Sequence, residues 1–160
     1  MATSGKASKD KHELTIEVNY THKDYIEGSV RAYTTPLNQD PDMYYGRKYL
    51  WSACISTEES CCGFSVLSDF GTNKVDKGIA KQIGEKMKEV WTKEKAQYIA
   101  AYVPDQKRYD SVRLILVTAG FKPQAQVKSI HGKYTNTRWE WFGPTYKEPK
   151  HETAVPTYNV

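Results

Sequence analysis

The sequence predicts an α+β protein with a three-layer α/β/α arrangement, a mixed sheet of about six or seven strands and three main helices. Three patterns carry this expectation. Near the N-terminus Leu14, Ile16 and Val18 alternate with Thr15, Glu17 and Asn19, the period of a half-buried strand. Between Ile79 and Trp91 the period becomes that of a helix. Gln97 to Val103, QYIAAYV, is then mostly apolar with little alternation, which suits a strand buried on both faces.

Taken in order, residues 1–11 read as a mobile basic tail, 12–143 as the folded domain, and 144–160 as an extended arm with three prolines. After the first strand Thr21 is placed to cap a helix, with Asp24 three residues on. Tyr25, Ile26, Val30 and Tyr33 form its apolar face, and Gly28 weakens it by about 1 kcal/mol relative to Ala. Thr34 to Asp42, TTPLNQDPD, reads as a loop. Met43 to Tyr49 reads as a short edge strand. Leu50 to Ser56 and Cys61 to Phe70 read as a hairpin turning at Thr57 to Ser60.

The next helix places Ile79, Ile83, Met87, Val90 and Trp91 on one face. Pro104 ends the strand that follows. Asp105 is placed to cap a further helix that turns Tyr109, Val112, Ile115, Leu116 and Ala119 inward, and Gly120 sits where a C-cap glycine belongs. Two last strands, Phe121 to His131 and Thr135 to Phe142, are split by Gly132-Lys133.

Composition narrows the function classes. Hydrophobic residues at 39% and charged residues at 26% fit one globular domain. A net charge of +4 falls short of the dense basic stripe of a nucleic-acid binder, so nucleic acid is not an expected partner. No apolar run reaches ~18 residues, so no membrane span is expected. MATSGKASKDKHE lacks the apolar segment of a secretory signal. Cys54, Cys61 and Cys62 cannot all pair within one chain, so reduced thiols and a cytoplasmic location are expected. On a regular strand Cys61 and Cys62 point to opposite faces, which opposes a shared metal site and favours cysteines acting as small buried hydrophobes. His12, His22, His131 and His151 are too scattered for a triad. Trp139 and Trp141 share a strand face and are expected in the core or a subunit contact, with a base-stacking platform as the alternative.

The most informative stretch is Asp69 to Met87, DFGTNKVDKGIAKQIGEKM. A strand runs through a short turn into the long helix. Gly78 and Ala80 allow close approach of backbone, and the free N–H groups of the first helical turn favour an anion. Lys74, Lys77 and Lys81 add positive charge. The alternative is a solvated helix face in which Gly78 merely eases the turn.

From Leu14 to Phe142 the element order resembles the GNAT fold, the Gcn5-related N-acetyltransferase superfamily. In that family a strand leads into a loop of pattern [RQ]-x-x-G-x-[GA], whose amides bind the pyrophosphate of acetyl-CoA. Gly78-Ile79-Ala80 matches the end of this pattern, and Leu116 to Phe121, LVTAGF, resembles the family's helix ending in Gly-Phe. The resemblance implies that Ser68, Lys74, Val75, Asp76, Lys77, Gly78, Ile79 and Ala80 surround acetyl-CoA. It also implies direct attack of an amine on the thioester.

Three positions depart from the pattern. Val75 stands where the family has Arg or Gln, the Asn before the second helix falls near Tyr109 and is absent, and Leu116 replaces a Tyr that protonates the leaving thiolate. The compact size and altered loop are also similar to small GNAT-like domains of tailed phages. A virion or other assembly protein that binds without catalysis is therefore the alternative expectation, with protein partners met through the C-terminal arm or a sheet edge.

Acetyl transfer needs an oriented thioester, a deprotonated amine and a stabilised oxyanion. Asp69, at the end of the strand before the loop, is a candidate base, directly or through water, although a turn-forming Asp is the favoured role. Tyr98 and Tyr102, four apart on one strand, share a face. Tyr102 is the candidate catalytic phenol. Packing with a satisfied hydroxyl is the other role open to the pair.

Overall fold

A computed structural model describes residues 12–22, 26–37, 46–58, 64–128 and 135–147. Its elements run β1 (His12–His22), β2 (Ile26–Pro36), β3 (Lys48–Glu58), β4 (Phe64–Ser68), α1 (Lys77–Lys93), β5 (Tyr98–Pro104), a 3-10 turn (Lys107–Tyr109), α2 (Asp110–Ala119), β6 (Lys122–Lys128) and β7 (Thr135–Phe142). The strands form one mixed sheet in the order β1-β2-β3-β4-β5-β7-β6. Every neighbouring pair is antiparallel except β4 and β5, which α1 joins as a parallel crossover.

Where a helix was expected from Thr21 to Tyr33, Thr21 and His22 end β1 and Ile26 to Tyr33 belong to β2, with residues 23–25 outside the described residues. His22 pairs with Ile26, and β1 and β2 form a hairpin. Val30 and Ala32 are buried while Arg31 between them is exposed, a period of two. The apolar set Tyr25, Ile26, Val30 and Tyr33 imitated a helical face by coincidence of spacing. Gly28 has a strand reason for being glycine: a Cβ there would stand 2.3 Å from the Asn19 carbonyl oxygen across the hairpin.

Two neighbouring expectations shift with it. Thr34 to Pro36 continue β2 rather than opening a loop. The two segments read as Met43–Tyr49 and Leu50–Ser56 contribute to one strand that starts at Lys48. β3 runs through Thr57 and Glu58, which were expected in the hairpin turn. Cys61, Cys62 and the Gly132-Lys133 turn lie outside the described residues. Cys54 is exposed, against the expectation of buried cysteines.

Among the described residues there are two helices of the three expected, and both pack on one face of the sheet. Trp141 of β7 shows this directly. Its indole N–H donates to the Ala119 carbonyl of α2 at 3.0 Å, and its ring meets Trp91 of α1 edge-on with centroids 5.4 Å apart. A Cβ on Gly84 of α1 would lie 2.6 Å from the Ile115 carbonyl oxygen and 2.7 Å from Thr118 Cβ of α2, so the helices touch at backbone distance. One core fills the space beneath them, from Val30, Ala32, Trp51, Ala53 and Ile55 through Leu67 to Ile99, Ala101, Val103, Trp139 and Trp141. Trp139 and Trp141 thus take the core role.

On the other face of β1 to β3 stand Glu17, Asn19, Ser29, Arg31, Ser52, Cys54 and Ser56, paired across the strands and largely exposed. An antiparallel sheet tolerates this arrangement with one face in water.

The second half matches expectation closely. Ala80, Ile83, Met87 and Trp91 are fully buried on α1, and Val112, Ile115, Leu116 and Ala119 on α2. Gly120 caps α2 at φ 107°, and the Phe121 amide returns to the Leu116 carbonyl at 2.9 Å. Asp105 does not cap α2, which begins five residues later at Asp110 behind the 3-10 turn. Instead its carboxylate accepts from the Thr135 and Thr137 hydroxyls at 2.6 and 2.7 Å, tying the end of β5 to β7.

The first residues of the expected arm fold back on β5. Gln97 Nε2 donates to the Thr145 hydroxyl at 2.7 Å, and Tyr146 packs on Phe142 with centroids 4.8 Å apart. The basic tail and residues 148–160 lie outside the described residues. No described helix is long and apolar enough to cross a membrane.

Candidate functional site

The site begins where two parallel strands separate. β4 and β5 pair at Ser65/Ile99, Val66/Ala100 and Leu67/Ala101, and β5 then continues to Pro104 without β4, still paired with β7. β4 ends at Ser68, and Asp69 turns the chain with φ 57°. Asp is among the few non-glycine residues that adopt this left-handed conformation readily. Asp69 therefore has a structural duty at the turn.

The loop from Asp69 to Asp76 is held on two sides. Gly71 donates to the Ser52 carbonyl and accepts from the Trp51 indole, both at 2.9 Å, which fixes it to β3. Val75 donates its amide to the buried Ser111 hydroxyl of α2 at 2.9 Å. Its side chain belongs to the core, at 6% exposure. This explains the apolar residue at the position where the family pattern has Arg or Gln.

Asp76 caps α1. Its Oδ2 accepts from the Gly78 amide at 3.0 Å, and its carbonyl accepts from Ala80 at 2.8 Å. By helix geometry the amides of Lys77 and Ile79 have no intrahelical acceptor. They remain as the donors an anion would meet, with a carboxylate already standing beside them.

A cavity of about 370 Å³ opens between this loop and the start of α2. Thr72, Lys74, Val75 and Lys77 line one side; Lys107, Arg108, Asp110, Ser111 and Leu114 line the other. Four cations thus face one carboxylate. That carboxylate is already engaged, since Asp110 Oδ1 lies 2.9 Å from Arg113 Nη2. The positive side chains are left in excess, and the two helix N-termini add partial positive charge of the same sign.

The expected site residues divide. Lys74 and Lys77 line the cavity, and Gly78 forms the cap beside it. Ala80 is a core residue at 0% exposure, and Ile79 packs partly against the core. Ser68 pairs with Cys54 and shares its face, the one opposite the helices. Tyr102 pairs with Arg138 on that same far face, as does Tyr98 with Phe142. The two tyrosines do share a face. The Tyr98 hydroxyl donates to Glu140 at 2.6 Å; burial and this carboxylate raise its pKa well above the phenol range. Asp69 is exposed at the turn.

Lys107, Arg108 and Ser111 were missed by sequence reasoning. The adjacent cations three residues after the strand-ending Pro104 were a usable signal. Ser111 gave none, because its role depends on an amide 36 positions away.

No family model matches the chain, and no curated protein matches it. Solved structures do match. A candidate acetyltransferase from Acinetobacter baylyi ADP1 superposes with a TM-score of 0.50 at 9% identity, covering 76% of this chain and 68% of that one. A candidate GNAT-family acetyltransferase from Desulfovibrio desulfuricans gives 0.49 at 13% identity over 72% and 69% of the two chains. A streptothricin acetyltransferase candidate from Bacillus anthracis, in complex with acetyl coenzyme A, gives 0.42 at 11% identity over 82% and 85%. At these identities the likeness concerns fold alone. The chain shares its fold with the Acinetobacter structure, with β1 paired to β2 where a first helix was expected.

Proposed function

We propose that the protein is an acyl-CoA-dependent N-acyltransferase, with acetyl-CoA as the acyl donor. One observation carries this reading: the cationic cavity beside the point where β4 and β5 part. Coenzyme A bears a pyrophosphate and a 3′-phosphate, and Lys74, Lys77, Lys107 and Arg108 supply four cations for them. The Lys77 and Ile79 amides supply directed donors at the α1 N-terminus. When bound, the donor supplies a thioester activated toward amines. The chain's part is to hold the phosphates and leave the thioester at the gap between the strands.

A second reading has its own support. The Asp76 carboxylate takes the Gly78 amide, Ser111 takes the Val75 amide, and Leu116 is fully buried where the family has its acidic phenol. A protein that keeps the fold for binding alone fits these three facts. Its partners would meet residues 144–160 or the sheet edges β1 and β6.

Calorimetric titration of acetyl-CoA separates the readings. The enzyme reading expects binding that disappears in Gly78→Trp, whose side chain would block the helix N-terminus. No detectable heat at high-micromolar donor would overturn it in favour of the second.

A further inference from the structure

On the face of the sheet away from the helices, β5 and β7 carry a cluster that the donor cavity does not use. Ile99, Ala101 and Val103 point into the core with Trp139 and Trp141. Tyr98, Ala100 and Tyr102 therefore point the other way, paired with Phe142, Glu140 and Arg138. Glu140 stands over the small side chain of Ala100, between the two tyrosines. Its side chain is only 13% exposed. Its Oε2 accepts from the Tyr98 hydroxyl at 2.6 Å and lies 3.4 Å from Arg138 Nη2. Arg138 Nε is buried without a hydrogen-bond partner, as is Asn136 Oδ1 on the same face one pair further along. The cluster thus holds unmet hydrogen-bonding capacity, which a purely structural network does not retain without cost.

Its place in the sheet is as informative as its chemistry. Val66, Ala100, Glu140 and Lys122 form one rung across β4, β5, β7 and β6. The pairing of β4 with β5 stops one residue later, at Leu67/Ala101. The carboxylate therefore stands about two strand spacings, roughly 10 Å, from β4 at the level where the gap opens. A glutamate side chain and one water cover the distance from β7 to that gap.

We propose that Glu140 is the general base of the transfer reaction and the docking point for the acceptor ammonium, and that the acceptor is a peptide-borne primary amine. This rests on the acyltransferase reading above. The acceptor class follows from shape. Small molecules need a concave site that buries most of their surface. This part of the sheet presents a face carrying Tyr98, Phe142 and Tyr146 in mutual contact, with Phe142 47% exposed. Such a surface suits a chain laid across it. Glu140 takes one proton from the ammonium and passes it to solvent, the freed nitrogen forms a bond to the thioester carbonyl carbon, and as the carbon–sulfur bond breaks the second proton leaves the nitrogen for the departing thiolate. Tyr98, Tyr102, Arg138 and Lys122 face the carboxylate across the neighbouring strands.

The test uses the full chain and two peptides: one N-acetylated with a single lysine, one lysine-free with a free N-terminus. The proposal expects transfer to at least one, and the arm that reacts names the amine. Glu140→Gln should leave acetyl-CoA affinity unchanged, weaken peptide binding at least tenfold by calorimetry, lower kcat/KM at least a hundredfold and abolish the acidic limb of its pH profile. Tyr98→Phe, which keeps the carboxylate, should retain that limb and lose far less activity than Glu140→Gln. Transfer by Glu140→Gln within threefold of the parent would overturn the role of Glu140. A parent protein that binds acetyl-CoA yet acetylates neither peptide would overturn the acceptor class. Failure to bind acetyl-CoA at all would instead remove the acyltransferase reading, and this inference with it.

Discussion

The amide of Val75 donates to the hydroxyl of Ser111 at 2.9 Å, and through this contact the loop before α1 and the first turn of α2 form one unit. The two walls of the cationic cavity hang on it, since Val75 and Ser111 both line that cavity. Ser111→Ala leaves a buried N–H without an acceptor, at a cost of about 1–3 kcal/mol. Urea unfolding should show that loss as a lower midpoint with unchanged slope. Acetyl-CoA affinity should fall at the same time, because the loop loses its tether to the opposite wall.

Asp76 offers a cleaner separation of stability from binding. Asp76→Ala removes the helix cap and should cost about 0.5–2 kcal/mol. Asp76→Asn keeps a capping oxygen and removes only the charge. A carboxylate at a helix N-terminus is worth about 0.3–1 kcal/mol in its interaction with the dipole, and it repels a second anion there. Asp76→Asn should therefore leave the thermal midpoint nearly in place and tighten acetyl-CoA binding by about two- to fivefold at low salt. Calorimetry on the two variants side by side checks both directions.

Gly84→Ala tests the contact between the helices. The added Cβ would meet backbone of α2 at 2.6 Å, and backbone cannot swing aside as a side-chain tip can. Overpacking of this kind costs about 1–3 kcal/mol. Differential scanning calorimetry should show a lower midpoint, and the cavity formed by the two N-termini should bind its anion more weakly.

Asp105 sets a pH dependence. The Thr135 hydroxyl, and then that of Thr137, hold its carboxyl below the usual value of 3.8. A depressed folded-state pKa contributes stability that is present above the unfolded value and is lost as pH falls through the folded one. Asp105→Asn should therefore be less stable than the parent near neutral pH, and the gap should close below pH 3.8. Chemical denaturation at several pH values reads the difference.

The second half of the fold was legible because its patterns were long and internally consistent. Ile79 to Trp91 kept one period over three turns, and Gly120 marked a helix end that only a glycine-like conformation permits. The first half misled because β2 carries apolar residues on both faces: Val30 and Ala32 in the core, Tyr33 beyond a register shift between Ala32 and Tyr33. That irregularity broke the alternation that would have identified the strand. At the site, local sequence showed Lys74 and Lys77 beside a helix start, but not that α2 brings Lys107 and Arg108 to meet them. Such a pairing exists only once the crossover has been made.

The central claim is that acetyl-CoA occupies the cavity between the α1 and α2 N-termini. The most direct measurement is amide chemical-shift mapping of the 160-residue chain during an acetyl-CoA titration. The account predicts saturable shifts concentrated at Lys74, Lys77, Ile79, Arg108 and Ser111, lost in Lys107→Glu/Arg108→Glu. Absence of shifts up to about 1 mM, the upper range of ordinary substrate affinities, would contradict it. So would shifts confined to residues outside the cavity.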